Sequence, residues 1–332
     1  MARVTIKDVA RHAGVVPSTV SRAINNHPEI NAHTRERVLR SIEALGYIPD
    51  PGGKTLRTRR TRSVSVILPT LEGDFYSRLM NSMDEALADC DYDAGVFPLL
   101  SERRLARYQD PRALPYHTDG LVFASLDPDH LYPNPAFLSN IPVVLLDIEN
   151  PRYDRVVLHN ERGGYLAARQ LQLRPAPTFV MNVEERFHTP FASGVFQKRL
   201  TGFQRAQEEA GLTLEPGQVV TSPFLPDAAR RAARQLLERA AGPTNIFAAC
   251  DLFARALLEE ASLMGRRVGE ELRLVGFDDD SAAQHLQLTT IHQPVEQMGR
   301  ELVRLLMERL GNPGLPIRAR QIEPVLVLRG TA

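Results

Sequence analysis

The chain is poor in cysteine and has no long apolar run. Its two cysteines, Cys90 and Cys250, have neither metal-site spacing nor a close disulfide partner, which is typical of a reducing compartment. No apolar stretch reaches the roughly 18 residues of a membrane helix, and the start, M-A-R-V-T-I-K-D, lacks the apolar segment of a signal peptide. We therefore expect a cytoplasmic protein that does not bind membranes.

Enzyme motifs are also missing. No G-x-G-x-x-G follows the first predicted strand, no G-x-x-x-x-G-K-[ST] occurs, and no Ser/His/Asp set or metal-ligand spacing stands out. An enzyme is therefore disfavoured, and we expect neither a cofactor nor a metal ion.

Charge is balanced in total but unevenly distributed. The chain has 40 Lys and Arg against 40 Asp and Glu, yet residues 1–62 contain twelve basic and five acidic side chains. The first segment thus has a surplus of seven positive charges and the remainder an equal negative surplus. A basic head on an acidic body indicates a polyanion-binding module attached to a domain of another function. An ordinary solvated charged surface is the alternative.

The segment that begins at Thr5 predicts two short helices joined by a glycine turn. T-I-K-D has the capping-box pattern, in which the Thr5 hydroxyl accepts a backbone hydrogen bond and the Asp8 carboxylate reaches back. Gly14 suits the turn and Pro17 the first position of the second helix, although Val16 has no side-chain oxygen to cap that helix. Such a pair of helices is typical of a module that lays its second helix in the DNA major groove.

A third helix and a linker follow. Asn31 is the predicted cap and Gly46 the predicted terminator of the helix. The next residues combine D-P-G-G with the basic run K-T-L-R-T-R-R-T-R. This composition predicts either a segment that DNA can order or an ordinary basic tether.

From Ser63 onward, short apolar strands alternate with helices. The predicted strands are Val64–Pro69, Ala94–Phe97, Gly120–Ala124, Val143–Asp147, Arg155–Leu158, Thr178–Val183, Gln218–Thr221, Ile246–Ala249 and Arg273–Phe277. The predicted helices include Phe75–Ala88, Lys198–Ala210, Asp227–Ala240 and Leu252–Met264. This alternation indicates parallel sheets covered on both faces, and because it occurs in two runs we expect two doubly wound subdomains. Ligands of such sheets bind beyond the carboxyl ends of the strands, which predicts a cleft between the subdomains.

A series of short motifs runs along the whole chain. The head contains T-I-K-D-V-A, A-G-V, P-S-T-V-S-R, T-R-E-R-V and L-G-Y, and the body contains D-G-L-V, R-L-T-G-F, V-G-F-D-D and L-T-T-I-H-Q-P. In this order they resemble the LacI/GalR (lactose-repressor-like) family of bacterial transcriptional regulators. A single helix-turn-helix match is common, whereas the combination of these motifs is specific.

The resemblance implies a small all-α helix-turn-helix head and an α/β core of two doubly wound parallel-sheet subdomains, like a periplasmic binding protein. The implied division is a head at 1–48, a hinge at 49–62, a first subdomain at 63–160 and 291–320, and a second subdomain at 161–290 and 321–332. It also implies that the chain crosses between subdomains near His159–Gly163, Thr290–Gln293 and Arg320–Glu323. The implied partners are a second copy of the chain, an operator that is an inverted repeat, and a small-molecule effector in the cleft that changes operator affinity.

On the second helix, Arg22 is expected to contact guanine O6 and N7, with a phosphate contact as the alternative. By resemblance, Leu56 wedges into the minor groove at the operator centre, and the two glycines before it make a less stable hinge helix. The other expected DNA-contacting residues are phosphate anchors or adaptable base contacts, namely Thr5, Pro17, Ser18, Thr19, Ser21, Asn25, Thr34 and Tyr47.

The family's ligand positions carry over to six residues of this sequence and two neighbours. They are Tyr76, Asp147, Arg199, Phe224, Cys250 and Asp278, with Phe75 and Asp251 adjacent. Aromatic rings can stack on a sugar or a base, and charged groups can bond to hydroxyls. Core packing is the alternative for the rings, and a loop or helix cap for the carboxylates.

Three departures from the family pattern bear on the effector. Cys250 stands where Asn is usual, and a thiol donates and accepts only weakly. His159 stands where Asp is usual, and the purine-binding members have an extra basic residue near the position of Ser193. We expect a sugar or sugar derivative as effector. The alternatives are a phosphorylated sugar, a ligand that is not a sugar, and a protein corepressor. A periplasmic-type ligand-binding protein would need a signal peptide and no basic head, so that class is disfavoured.

Overall fold

The computed structural model describes residues 4–47, 60–71, 73–99, 102–108, 110, 118–132, 134–184 and 193–332. The chain divides into two compact units, Met1–Thr61 and Arg62–Ala332. Leu56 and the two glycines of the predicted hinge lie in residues 48–59, outside the described part.

The described part of the head unit, residues 4–47, contains three helices, α1 (Ile6–Ala13), α2 (Pro17–Ile24) and α3 (Ala32–Leu45). Each contributes a fully buried valine, Val9, Val20 or Val38, to one small core. The three predicted helices are thus confirmed in position.

The helix ends follow the predicted signals. The Asn31 side chain accepts from the Thr34 backbone N–H at 2.7 Å, and Val16 provides no side-chain cap for α2. At α1 both bonds of the predicted capping box are present, since the Thr5 side chain accepts from the Asp8 backbone N–H and the Asp8 carboxylate accepts from the Thr5 backbone N–H at 3.0 Å. The Thr5 hydroxyl also donates to the Asp8 carboxylate at 2.6 Å, because a hydroxyl can donate and accept at once.

The second unit is built on two six-stranded sheets. The first has the order β11-β5-β4-β3-β1-β2 and the second β12-β10-β9-β8-β6-β7, with every described pairing parallel except that of β10 with β12. The strands of the first sheet are β1 (Ser63–Leu68), β2 (Asp93–Pro98), β3 (Gly120–Ala124), β4 (Val143–Leu146), β5 (Asp154–Leu158) and β11 (Ala319–Ile322). Those of the second are β6 (Thr178–Val183), β7 (Val219–Ser222), β8 (Thr244–Ala248), β9 (Leu272–Asp278), β10 (Thr289–His292) and β12 (Val325–Val327). The predicted doubly wound class is confirmed.

Helices cover the sheets on both faces. They are α4 (Asp74–Ala88), α5 (Glu102–Tyr108), α6 (Pro128–Leu131), α7 (Asn160–Gln172), α8 (Val195–Glu209), α9 (Pro226–Arg239), α10 (Asp251–Leu263) and α11 (Val295–Gly311). Although α11 follows a strand of the second sheet, it packs on α4 and on β3, β4 and β5 of the first. The prediction had identified no helix at this position. In the described part of the chain, no helix combines the length and the apolarity needed to cross a membrane.

The chain passes between the sheets three times. It leaves β5 through His159 into α7, leaves β10 through Gln293 into α11, and leaves β11 through Glu323 into β12. These crossings lie near the three implied by the resemblance. Because β10 extends to His292 in the second sheet and β11 to Ile322 in the first, each of those two boundaries shifts by two residues from 290 and 320.

Close contact between α7 and α8 depends on two glycines. A Cβ on Gly164 would lie 1.8 Å from the backbone oxygen of Arg199, and a Cβ on Gly202 would lie 1.8 Å from that of Glu161. The helices therefore approach until backbone meets backbone. This contact sets how far α8, and with it Arg199, lies from the crossing at the start of α7.

Candidate functional site

The head presents most of the expected DNA-contacting residues to solvent. Thr5, Pro17, Ser18, Arg22 and Asn25 are exposed, whereas Thr19, Ser21, Thr34 and Tyr47 are half-buried. Tyr47 packs against the head core just after α3, so its ring also anchors the end of that helix.

Two side chains of α2 already have partners within the head. Arg22 Nη1 lies 3.2 Å from Glu29 Oε2, and both side chains are exposed. Asn25 Nδ2 donates to the Ser21 backbone oxygen at 2.7 Å. A base contact by Arg22 would therefore compete with the exposed ion pair to Glu29.

In the core, the expected effector residues gather at the carboxyl ends of the parallel strands. In chain order, Phe75 and Tyr76 follow β1, Asp147 follows β4, Arg199 lies on α8 after β6, Phe224 follows β7, Cys250 and Asp251 follow β8, and Asp278 ends β9. Both sheets contribute, and the carboxyl ends of the strands are where a doubly wound fold binds its ligands.

Arg199 is the centre of a buried network. Only 4% of the residue is exposed. Its Nε donates to Asn160 Oδ1 at 2.9 Å, and its Nη1 donates to the Ala249 backbone oxygen at 2.6 Å and to Asp278 Oδ1 at 3.3 Å. The guanidinium carbon lies 3.6 Å from the centre of the Phe277 ring, within cation–π range. These contacts hold the guanidinium rigidly beside the cleft.

Three carboxylates lie around this network, and burial raises the pKa of each. The pKa of Asp278 rises to about 6 because desolvation outweighs the nearby Arg199. The oxygens of Asp251 are occupied by the Thr290 hydroxyl at 2.8 Å and the Asp280 backbone N–H at 3.0 Å. Asp147 accepts from the Leu158 backbone N–H at 2.9 Å. Asp251 therefore holds the loop that begins at Asp279, through its bond to the Asp280 backbone N–H. Asp278, by contrast, is a buried carboxylate beside Arg199 whose pKa is raised to about 6.

The aromatic and thiol positions differ in exposure. Burial raises the pKa of Tyr76 to about 12, and the carboxylates of Asp147 and Asp278 add to the shift, so this ring lies near both halves of the cleft. Cys250 is buried, and desolvation followed by the Asp278 charge raises its pKa well above the ordinary value. It is thus a neutral thiol. Phe224 is 50% exposed and free on one side to stack on a ligand.

The Phe224 ring belongs to a small aromatic group. Its centre lies 6.4 Å from that of Phe196 and 6.5 Å from that of Phe253. Phe75 makes an edge-to-face contact with Tyr76 at 5.1 Å. The cleft therefore has aromatic faces in both halves and charged groups between them.

Comparison with known proteins assigns both units. Residues 5–50 match the description "Bacterial regulatory proteins, lacI family" and residues 178–332 match "Periplasmic binding protein-like domain". The transcriptional regulator CelR of Thermobifida fusca is 32% identical over 95% of each chain. The transcriptional repressor PurR of Photobacterium profundum is 30% identical, over 98% of this chain and 97% of its own.

The chain belongs to the LacI family of bacterial regulatory proteins. The solved structure of the CelR–cellobiose complex has 28% identity and a TM-score of 0.72, over 99% of this chain and all of the other. This LacI-family protein is thus an effector-controlled, DNA-binding transcriptional regulator and not an enzyme.

The structure adds cleft residues that the sequence analysis of this LacI-family chain had not assigned to the site. Gln293 Nε2 donates to Asp278 Oδ1 at 2.6 Å, and the buried Gln293 Oε1 has no partner among the described residues. Asn160 and Phe277 hold Arg199. A polar residue directly after β10 and another at the start of α7 were the available signals, and both had been interpreted only as chain crossings.

Proposed function

We propose that this regulator binds a palindromic operator as a homodimer and that a sugar in the cleft sets its affinity for DNA. The observation that supports a sugar effector is the Arg199–Asp278 network at the carboxyl ends of the strands. The proposal places the protein in the cytoplasm, where the operator is. Induction and corepression are both compatible with this network.

A ligand rich in hydroxyl groups suits the cleft chemistry. Asp278 accepts hydrogen bonds, Arg199 donates them, and the buried Gln293 Oε1 needs a donor. The exposed face of Phe224 suits the apolar face of a sugar ring. A sugar satisfies these groups together, because each hydroxyl both donates and accepts. The cellobiose complex of the related CelR supports the same ligand class.

The proposed effector contacts are those at the strand ends, with Asp251 and Asp147 as supports for the loops beneath the ligand. The full set is Phe75, Tyr76, Asp147, Arg199, Phe224, Cys250, Asp251 and Asp278. The proposed DNA contacts are Thr5, Pro17, Ser18, Thr19, Ser21, Arg22, Asn25, Thr34 and Tyr47, together with Leu56 of the hinge. Subdomain boundaries at His159, Gln293 and Glu323 complete the assignment.

A second copy of the chain is proposed to dock on the surface formed by α9, α10 and the loop that follows β9. Arg230, Arg255, Leu258, Leu263 and Leu286 line a shallow groove of about 760 Å³ there. Leu263 is 74% exposed, and exposed apolar patches of this kind mark interfaces. Replacing Leu263 by Glu should yield monomers in analytical ultracentrifugation. A dimer of unchanged stability would exclude this face.

The effector proposal is tested by thermal unfolding of the full chain with cellobiose, other disaccharides, sugar phosphates and guanine. A sugar should raise the midpoint of the wild type and not that of Asp278→Asn, and the same sugar should change operator affinity in a gel-shift titration. Stabilisation by guanine alone would replace the sugar with a purine. Stabilisation by none of these ligands would favour the alternative of a protein corepressor.

A further inference from the structure

Away from the cleft, two register partners lie where β8 and β9 begin. Asn245 of β8 pairs with Arg273 of β9. The end of α7 lies beside them, since Asn245 Nδ2 donates to the backbone oxygens of Leu171 and Arg174, each at 3.1 Å. These two bonds also determine which end of the Asn245 amide is oxygen.

The polar atoms of this corner are incompletely satisfied. Arg273 is only 7% exposed. Its Nε has no hydrogen-bond partner in the described ranges, and no described carboxylate forms an ion pair with the guanidinium. The Asn245 residue is 1% exposed, and its Oδ1 also has no partner in those ranges. A buried donor and a buried acceptor on adjacent strands thus both lack partners in the described part of the protein.

The other buried arginines of this unit are neutralised. Arg309 is held by Asp154 through two 2.9 Å bonds, and Arg199 is held by Asp278. Beside Arg273 the charged neighbour is a second cation, Arg174, and burial together with that cation lowers the pKa of Arg273. A guanidinium nevertheless stays protonated in proteins. The corner therefore holds a positive charge that no carboxylate of the described residues pairs with.

We propose that Arg273, Arg174 and Asn245 bind a small oxyanion that carries both acceptor oxygens and a hydroxyl proton, the chemistry of hydrogen phosphate. Arg273 donates to one or two anion oxygens, as guanidinium groups do with phosphate. The exposed Arg174 adds charge from the solvent side. The anion's own P–OH donates to Asn245 Oδ1, which neither sulfate nor chloride can do.

This anion site is separate from the effector cleft. Arg273 and Asp278 lie five residues apart on β9, and a strand rises roughly 3.3 Å per residue, so the two sites are roughly 17 Å apart. They occupy opposite ends of the sheet. Binding at one end therefore does not require contact with a ligand at the other.

Thermal unfolding of the full-length protein tests the site, with sodium phosphate titrated at constant ionic strength. A phosphate concentration several times the dissociation constant should raise the wild-type midpoint by about 2–4 °C. In Arg273→Met this rise in the unfolding midpoint should be lost. Without phosphate the variant should be at least as stable as the wild type, because a buried methionine side chain has no charge to desolvate. Phosphorus-31 NMR of inorganic phosphate should show line broadening by the wild type that Arg273→Met reduces.

Matched variants separate this site from the basic head, which is unchanged in all of them. Arg231→Gln, on the exposed surface of α9, should keep the full response. Arg174→Gln alters an exposed side chain, folds normally and should reduce the response. Sulfate in place of phosphate should give a weaker rise, and a phosphate monoester that matches inorganic phosphate would identify a phosphorylated metabolite as the source. An equal rise in the wild type and Arg273→Met, or no rise in the wild type, would overturn the proposal.

Discussion

At Asp278 two opposing effects act on the pKa, since burial raises it and the nearby Arg199 lowers it. Asp278 is paired with Arg199 and Gln293, yet burial raises its pKa to about 6. The folded chain therefore binds a proton at Asp278 more tightly than the unfolded chain does. Between about pH 4 and pH 6 folding takes up protons, so this residue lowers the free energy of unfolding as the pH rises through that window.

The variant Asp278→Asn should remove this pH dependence. Relative to the wild type, its free energy of unfolding should increase by on the order of 2 to 3 kcal/mol between pH 4 and pH 7. Urea denaturation at a series of pH values measures this difference. The control Asp84→Asn, on the exposed side of α4, should follow the wild-type profile. A constant difference between Asp278→Asn and the wild type would contradict the pKa assignment.

Arg22 is expected to carry much of the sequence discrimination of the head. Replacing it with Ala should cost about 1–3 kcal/mol of preference for the selected operator over a scrambled site, which is roughly 5- to 150-fold. Gel-shift titration on both DNAs measures the preference. Arg11→Ala is the matched control, since Arg11 is also exposed and paired with an acid, Asp8; it should weaken binding to both DNAs alike.

Glu29 provides the complementary test of the same residue. Glu29 pairs with Arg22 and is itself negative. Glu29→Gln should therefore tighten binding to the selected operator and to the scrambled site, and binding to each DNA should remain as dependent on salt as in the wild type. If Glu29→Gln leaves both affinities unchanged, the ion pair does not restrain Arg22 in solution.

Among the elements, the pair α7 and α8 links packing to the cleft. Gly164 and Gly202 let the two backbones touch beside Arg199 and Glu161. A Cβ at either glycine would push α8 away from α7. The position of Arg199 therefore depends on residues that do not face the cleft.

The substitution Gly202→Ala should destabilise the core by about 1–3 kcal/mol through overpacking and should weaken effector binding as Arg199 moves. Gly311→Ala is the control, because a Cβ there meets nothing within 4 Å and the residue ends a helix. It should leave the stability unchanged or increase it by up to about 1 kcal/mol. Denaturant unfolding and effector titration give the two readouts. Unaltered effector affinity in a destabilised Gly202→Ala would show that the contact only stabilises the fold.

At the scale of the whole molecule, polar contacts between described residues join the two subdomains. Arg78 Nη1 donates to the Asp279 backbone oxygen at 3.2 Å, the Ser281 backbone N–H donates to Asp74 Oδ2 at 3.1 Å, and Lys198 Nζ lies 2.8 Å from Glu149 Oε1. Arg78 is itself held by a bidentate bond to Glu296. The two subdomains are thus in direct polar contact in the described conformation.

Removing the Arg78 side chain should shift the molecule toward an open cleft. Small-angle X-ray scattering of Arg78→Ala without effector should give a larger radius of gyration than the wild type, and the effector should reverse the increase. Arg205→Ala is the comparison, since Arg205 pairs with Glu161 and Glu209 and lies over the Tyr165 ring, all on α7 and α8 and so within one subdomain. A similar increase in both variants would point to general loosening and not to cleft opening.

The sequence by itself determined the features that depend on near neighbours in the chain. Asn31, Pro17 and Gly46 mark helix ends through local hydrogen bonds and dihedral preferences, and the apolar runs of the sheets are buried as their composition predicted. The ordered motifs then predicted the family and the cleft positions. Helix and strand limits differed by up to three residues, for example α8 begins at Val195 and not at Lys198, because packing decides where an element ends.

Only the tertiary structure decided what distant residues do together. That Arg199 stacks on Phe277, and that Gly164 and Gly202 bring two helices into backbone contact, depend on residues far apart in the chain. The raised pKa of Asp278 and the buried charge of Arg273, which has no counter-charge among the described residues, have the same origin. Burial is a property of the assembled fold. It determines whether a charged side chain such as Asp278 has a shifted pKa and whether one such as Arg273 is left without a counter-charge among the described residues.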